Sequence, residues 1–278
     1  MKKETAFFQS DDGLKLATCA HHDSATPKAY IVLVHGYGEH AGRYAHVVDA
    51  LCGAGYSVHT IDHRGHGASD GERAYFNNLW EPVADLKRFV NDVQAQNSNQ
   101  ALFMLGHSMG ALIALVFAIQ YQYELKGVIL SGIPLTADLS TSPVLLAVGN
   151  LLNLVAPKMQ LADAAPRNEL SSDPSVMLDF QADPLNWKGK MRVRMGISIQ
   201  RAAKWSRANI GALKLPIMLA HGADDKICPP SGSQFVFDGA SSTDKTLKFY
   251  PGMKHEILNE RERAGVIADM IAWCDAHA

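Results

Sequence analysis

Short apolar runs rich in β-branched residues alternate along the chain with longer segments whose apolar positions recur every three or four residues. The first pattern predicts strands and the second predicts helices. Tyr30–Val34, Ser57–Ile61, Leu102–Leu105, Val128–Leu130, Ile217–Ala220 and Leu247–Tyr250 are the strand candidates. Their nearly continuous apolar character predicts burial on both faces, as in a parallel sheet covered by helices. Helical patterns fill Arg43–Leu51, Leu79–Gln96, Met109–Gln122, Gly232–Phe237 and Arg261–Trp273, with Gly53 and Gly55 placed to end the first. Ahead of them, Thr5–Phe8 and Leu14–Cys19 flank the turn-forming Asp11-Asp12-Gly13 and predict an antiparallel hairpin at the sheet edge. The predicted class is α/β, with a mostly parallel central sheet and an antiparallel N-terminal edge.

The alternation breaks once. Between Ser131 and Ile217 no convincing strand occurs, and Pro134, Pro143, Pro157, Pro166, Pro174 and Pro184 punctuate the stretch. A connection of that length needs its own structure and function in a compact domain. The expected organisation is a core of 1–133 and 214–278 with a helical cap, 134–213, inserted between.

Composition narrows the function classes. Of 278 residues 47% are hydrophobic and 19% charged, an ordinary globular balance, and a net charge of −2 without a basic run argues against nucleic acid as a partner. Cys19, Cys52, Cys228 and Cys274 are scattered without CxxC pairs, which fits a reducing compartment rather than a disulfide or zinc framework. His35 with His40, or His63 with His66, lacks an accompanying carboxylate cluster, so no metal is expected. The start, MKKETAFFQS, has no unbroken apolar stretch of the kind a signal peptide needs. The apolar run Val144–Ala156 is interrupted by Gly149, Asn150 and Asn153 and falls short of the ~20 residues that span a bilayer. A soluble cytoplasmic protein is expected, with peripheral membrane contact through the cap.

Gly106-His107-Ser108-Met109-Gly110 fits G-x-S-x-G, a turn that lifts a serine above a sheet. Gly67-Ala68-Ser69-Asp70-Gly71 fits it too, but lies in a polar loop. Ser108 follows the apolar strand ALFML and precedes the apolar helix ALIALVFAIQY, the strand–turn–helix context the motif requires. A serine hydroxyl needs a histidine to take its proton, and that histidine needs a carboxylate to fix its tautomer. In such an arrangement the chain order is serine, acid, histidine, each on a loop after a strand. His221, His255 and His277 follow Ser108. His277 is penultimate, and His221 ends a strand upstream of the candidate acid, where a structural role fits. His255 follows the last strand and Pro251-Gly252 and precedes the last helix, where the base belongs. For the acid, His221-Gly222-Ala223-Asp224-Asp225 offers two adjacent carboxylates, with Asp225 the candidate and Asp224 a solvated neighbour or cap. Acyl transfer also needs backbone donors for the oxyanion, here assigned to the N–H groups of Met109 and Tyr37.

HGYGEHAGRY (35–44), IDHRGHGASDGER (61–73), GHSMGA (106–111), HGADDKICPP (221–230) and YPGMKHEILNE (250–260) resemble, in order and spacing, the blocks of the monoglyceride lipase and lysophospholipase branch of the α/β-hydrolases. The resemblance implies an α/β-hydrolase fold with a helical cap over an acyl tunnel, and a cofactor-free serine esterase acting on single-chain lipid esters, foremost monoacylglycerols. It assigns Ser108, Asp225 and His255 as the triad and places the acid at Asp225 rather than Asp224. In the mammalian monoglyceride lipases a Glu and an Arg of the first block, with a His three residues after the catalytic one, hold glycerol. Glu39 and Arg43 match, whereas Leu258 stands at the third position, which implies a different alcohol or looser selectivity. In the cap, Leu145, Leu146 and Leu151, with Leu152 and Val155, are candidates to line the acyl channel or to rest on a lipid surface. Lysophospholipase activity is an alternative that would use basic residues near the cap mouth, such as Arg192, Arg194, Arg201, Lys204 and Arg207, unless these form a solvated helix face. A short-chain carboxylesterase, a peptidase and a non-catalytic binding protein complete the alternatives. The peptidase lacks an evident acidic cluster for an α-amino group, and the binding protein would be expected to lack a triad member.

Overall fold

A computed structural model describes residues 2–24, 26–97, 100–135, 143–162 and 167–278, apart from the side chains of 143–147, 161, 162 and 167. β1 (Lys2–Gln9) and β2 (Lys15–His22) pair antiparallel across a turn in which Gly13 takes φ +92°. The chain then alternates through β3 (Tyr30–Val34), α1 (Ala45–Gly53), β4 (Ser57–Ile61), α2 (Trp80–Gln96), β5 (Leu102–His107), α3 (Met109–Tyr121) and β6 (Gly127–Ser131). It leaves the sheet for α4 (Pro143–Val155), β7 (Gln160–Ala162), α5 (Pro174–Ala182), β8 (Met191–Arg192) and α6 (Val193–Asn209). It returns through β9 (Ile217–Gly222), α7 (Ser231–Gly239), β10 (Lys245–Tyr250) and α8 (Arg263–His277).

The eight strands of the main sheet run in the order β1-β2-β4-β3-β5-β6-β9-β10. β2 meets β4 antiparallel and every later pairing is parallel, as the apolar runs predict. Alternation along β3 shows why. Val32 and Val34 point into the core formed with α2 and α3, while Ile31 and Leu33 point into the core formed with α1 and α8. α3 is apolar around most of its circumference and is buried from Met109 to Ile119. Because β4 lies on one side of β3 and β5 on the other, the chain reverses its direction of travel across the sheet at β3. Clefts for ligands form at such switch points, beyond the carboxyl ends of the strands.

The stretch between β6 and β9 adds no strand to the main sheet among the described residues. It is not purely helical, since β7 and β8 form a small antiparallel ladder, Gln160 opposite Arg192 and Ala162 opposite Met191. Two or three residues are too few to display an alternation, so sequence periodicity had no means of revealing it. The helix expected from Arg43 begins instead with a 3₁₀ turn, Ala41–Tyr44, which the His40 side chain caps at Gly42 N–H.

Candidate active site

Ser108 sits where β5 turns into α3 with φ +54°, a conformation that a residue with a Cβ rarely adopts. Its backbone N–H is fixed by Ser131 O at 2.8 Å and its carbonyl by the N–H groups of Ala111 and Leu112. The turn closes only because its two glycines lack side chains. A Cβ at Gly106 would come within 2.6 Å of Gly110 O, and one at Gly110 within 2.1 Å of Val34 O.

His255 Nε2 lies 2.9 Å from Ser108 Oγ and its Nδ1 lies 2.7 Å from Asp225 Oδ2. The carboxylate can only accept from Nδ1–H, so Nε2 is left to accept the serine proton. Asp225 Oδ1 accepts from the N–H groups of Ile227 (2.8 Å) and Cys228 (2.9 Å). Burial would raise this carboxyl, but the hydrogen bonds from His221 and His255, followed by the Cys228 N–H, outweigh it and hold the group well below the ordinary carboxylate range. His221 therefore does more than end a strand. Its Nε2 faces two acceptors, Cys228 O at 2.7 Å and Asp225 Oδ2 at 3.1 Å, and so carries the proton. Its Nδ1 accepts from Ser233 Oγ at 2.7 Å. Asp224 is exposed, and His277 is engaged at the end of α8 with Trp273 O and Asp244.

The second serine motif does different work. Ser69 is buried, donates to Asp62 O at 2.5 Å and accepts from Ala17 N–H at 2.8 Å, which staples its loop to β2.

The loop after β3 is held from both sides. His35 Nδ1–H donates to Gly36 O at 2.8 Å while its Nε2 accepts from His63 N–H at 3.0 Å. Glu39 Oε1 accepts from Gly36 N–H (2.6 Å) and Tyr44 Oη–H (2.5 Å), and Glu39 Oε2 pairs with Arg43. Arg43 also grips Glu256 in a two-pronged pair at 3.0 and 2.7 Å and lies over the Phe180 ring. The N–H groups of Tyr37 and Met109 make no hydrogen bond to another described residue and both residues line the cavity over Ser108. Donors left open beside a serine are what a developing oxyanion requires.

That cavity measures about 360 Å³, within the range of small-molecule sites. Leu170, Phe180, Trp187, Met191 and Ile199 from the stretch between β6 and β9 form apolar walls opposite Ser108 and His255. His107 adds a ring 4.9 Å from that of His255. Burial pushes His107 down to about 3, so it stays uncharged beside the base. Burial raises the Cys228 thiol far above its usual value, with the Asp225 charge adding to this, and removes it as a competing nucleophile.

Residues 25–262 match the model of the serine aminopeptidase S33 family. A monoacylglycerol lipase of Mycolicibacterium smegmatis is 33% identical over 270 residues, covering 97% of this chain and 96% of that one. The chain belongs to this family, in its monoglyceride lipase branch. The Mus musculus monoglyceride lipase is 34% identical over 253 residues, 90% of this chain and 83% of its own. Among solved structures, a soluble variant of the Saccharomyces cerevisiae monoglyceride lipase in complex with a substrate analog superposes with a TM-score of 0.87 at 26% identity, covering all of this chain and 96% of its own.

Against this monoglyceride lipase frame, the expected site residues divide. Ser108, Asp225, His255, Tyr37, Met109, Glu39 and Arg43 come together, although Asp225 stands behind His255 rather than at the cavity wall. Leu258 does not join them. It is buried in the core against α1 and α8, and its carbonyl faces His46 Nε2 at 2.6 Å. It therefore cannot stand in for a head-group ligand. Leu151 is 59% exposed and lines no part of the cavity, because α4 turns that face outward. The side chains of Leu145 and Leu146 lie outside the described residues. None of Arg192, Arg194, Arg201, Lys204 and Arg207 lines the cavity. Glu256 was not anticipated. Its position next to the base was visible, but its pairing with Arg43 joins two loops far apart in the chain.

Proposed function

We propose that this chain hydrolyses the ester bond of monoacylglycerols. The observation that carries the reading is the unbroken hydrogen-bonded line Ser108–His255–Asp225 beneath a cavity with apolar walls at one side and the Glu39–Arg43–Glu256 cluster at another. In this scheme His255 Nε2 takes the Ser108 proton as Oγ attacks the carbonyl, and the N–H groups of Tyr37 and Met109 receive the oxyanion. Collapse releases glycerol, protonated by His255, and leaves the acyl group on Ser108. Water activated by His255 then releases the fatty acid and restores the serine. No cofactor enters. The acyl chain lies against Phe180, Met191 and Ile199, and the glycerol hydroxyls meet Arg43 and Glu256 at the cavity wall.

The substrate class rests on the named relatives together with this division of the walls. Two carboxylates around one guanidinium give the head-group end a net negative charge, which disfavours phosphate-bearing lysophospholipids. Each carboxylate oxygen of the two acids already accepts from Arg43, Gly36 N–H, Tyr44 Oη–H or Asn259 Nδ2, so neither acid is free to take an α-amino group and the peptidase reading loses its anchor. We further propose that residues 134–213 act as a cap that meets membranes peripherally. Val148, Leu151, Leu154 and Val155 on α4 are exposed apolar side chains, and among the described residues no helix is long and apolar enough to cross a membrane.

The test is fatty-acid release by the purified protein from monoacylglycerols of graded chain length, beside lysophosphatidylcholine and short p-nitrophenyl esters, with Ser108→Ala as control. Turnover should peak on medium or long monoacylglycerols and vanish in the variant. Turnover confined to short esters would instead make it a general carboxylesterase.

A further inference from the structure

A second cavity of about 260 Å³ lies on the far side of α6 from the ester cavity. α6 gives Gly196, Ile199, Gln200 and Ala203 to the ester cavity, and Arg194, Ile197, Ser198 and Arg201 to the second. At the helical repeat these two sets fall on opposite faces. Asn153 of α4 forms another wall, and Asn77, Asn78 and Trp80 close it from the start of α2.

Among the described residues the lining carries two guanidinium groups and no carboxylate. Asn153 fixes Arg194 by accepting from Nε (3.0 Å) and Nη2 (2.8 Å), which leaves Nη1 without a partner among the described residues. Arg201 makes one long contact, 3.4 Å, to Asn150 Oδ1. Between them on the same face, Ser198 is 3% exposed and its Oγ has no hydrogen-bond partner among the described residues. A buried hydroxyl is almost always satisfied, so an orphan on a residue that lines the cavity leaves a donor for something that binds there. Glu81, in the first turn of α2, is engaged by Arg64 Nη1 at 3.3 Å and by Asn77 N–H and Asn78 Nδ2 at 3.2 Å. The amino end of α2 adds the positive end of its dipole.

We propose that this cavity binds a phosphomonoester. The phosphate oxygens accept from Arg194, Arg201 and Ser198 Oγ–H, and a short organic chain lies against Trp80 and Ile197. Guanidinium forks match a tetrahedral oxyanion, and the asparagine amides supply further donors. Such a ligand bridges α4 and α6 to α2 and so ties the stretch between β6 and β9 to the core without touching the ester cavity.

Calorimetric titration of the full chain with inorganic phosphate and glycerol 3-phosphate, and sedimentation with phosphatidic acid or phosphatidylcholine vesicles, test the site. Arg201→Gln is the primary variant because Arg201 is exposed, and Ser198→Ala is the second. We expect saturable one-to-one binding of glycerol 3-phosphate, weakened about tenfold or more by Arg201→Gln, with p-nitrophenyl ester hydrolysis unchanged in both variants. Arg201-dependent binding to phosphatidic acid vesicles alone would uphold the site and identify a lipid head group as the source. Absence of binding to every phosphate probe, or equal binding by the wild type and both variants, would overturn it, whatever the ester assay shows.

Discussion

Ser108, His255 and Asp225 sit on densely hydrogen-bonded loops, whereas the stretch between β6 and β9 meets the core through α6, whose Met195, Ala202 and Ala203 join the buried cluster, and through separate polar contacts such as Glu256 N–H to Leu170 O and Ser171 Oγ–H to Glu260. Asp225 alone accepts from His255, His221, Ile227 N–H and Cys228 N–H. Across the cavity, Trp187 N–H donates to Gly38 O at 2.7 Å, His40 pairs with Asp183 at 2.8 Å, and Arg192 pairs with Glu72 at 2.9 Å. The contrast separates two tasks. Geometry at the reacting atoms must hold to fractions of an ångström, since a small displacement there costs orders of magnitude in rate. Walls that admit a long apolar chain need only be apolar and close, and can be fastened loosely.

The hardest test of the rigid side is to remove its members. Ser108→Ala should lower ester turnover by about 10⁵-fold or more, with the folded state intact by circular dichroism. Asp225→Asn should cost roughly 10⁴-fold because it favours the wrong tautomer of His255. His221→Phe removes one donor from the acid while leaving the relay in place, and a loss of about tenfold is expected. Equal losses for His221→Phe and Asp225→Asn would mean that His221 belongs to the relay itself.

Acid sharpens the comparison next, because all twelve histidines lie outside residues 134–213. Burial, reinforced by neighbouring histidines, pushes His63 down to about 3 and His59 to about 4. Burial likewise pushes His107 to about 3 and His66 to about 4, and drives His35 well below its ordinary value. With the folded pKa depressed, neither state holds the proton well above pH 6.5, and there the full stability is present. As pH falls from 6.5 toward 3–4, the unfolded chain takes up protons that the folded chain refuses, and stability is lost. The expected loss is roughly 1 kcal/mol by about pH 5.5 for each of the four that fall to about 3 or 4, with His35 adding in the same direction. Urea denaturation at pH 7.5 and 5.5 measures it, and equal midpoints would show that these histidines remain solvated.

Glu39→Gln probes the boundary between the two regions. As a positioning residue it should lower kcat by about 10- to 100-fold, since the amide must turn its NH2 toward either Arg43 or Gly36 N–H, both donors, and so weakens the hold on the Gly36–Tyr37 turn. A risen KM at constant kcat would make Glu39 a head-group ligand alone. This boundary also marks where sequence reading stopped. β3 and β4 were legible residue for residue because their apolar runs are sharply bounded. Ser108 was legible from the strand and helix on either side of it, and His255 from chain order. Glu256 and the second role of His221 were not, because each depends on a partner brought in by folding. Which of its two expected roles Leu151 fills was not legible for a related reason: an apolar stripe shows that a helix has a face, and tertiary packing decides where that face points, here away from the cavity.

The smallest expected effect lies on the loose side. His40 Nδ1 accepts from Gly42 N–H, so its Nε2–H donates to Asp183 Oδ2, joining the loop before α1 to the segment after α5. Asp183 is partly solvated, and a single pair of this kind contributes about 1 kcal/mol or less. Asp183→Ala should therefore leave the unfolding midpoint almost unchanged and leave short p-nitrophenyl esters turning over at the wild-type rate, since Ser108 and its partners never touch this contact. Long-chain monoacylglycerols need the wall that α5 helps to form, and their KM should rise about two- to fivefold. A matching rise for short esters would show that the contact steadies the reacting loops as well, and the division between a fixed floor and an adjustable wall would have to be withdrawn.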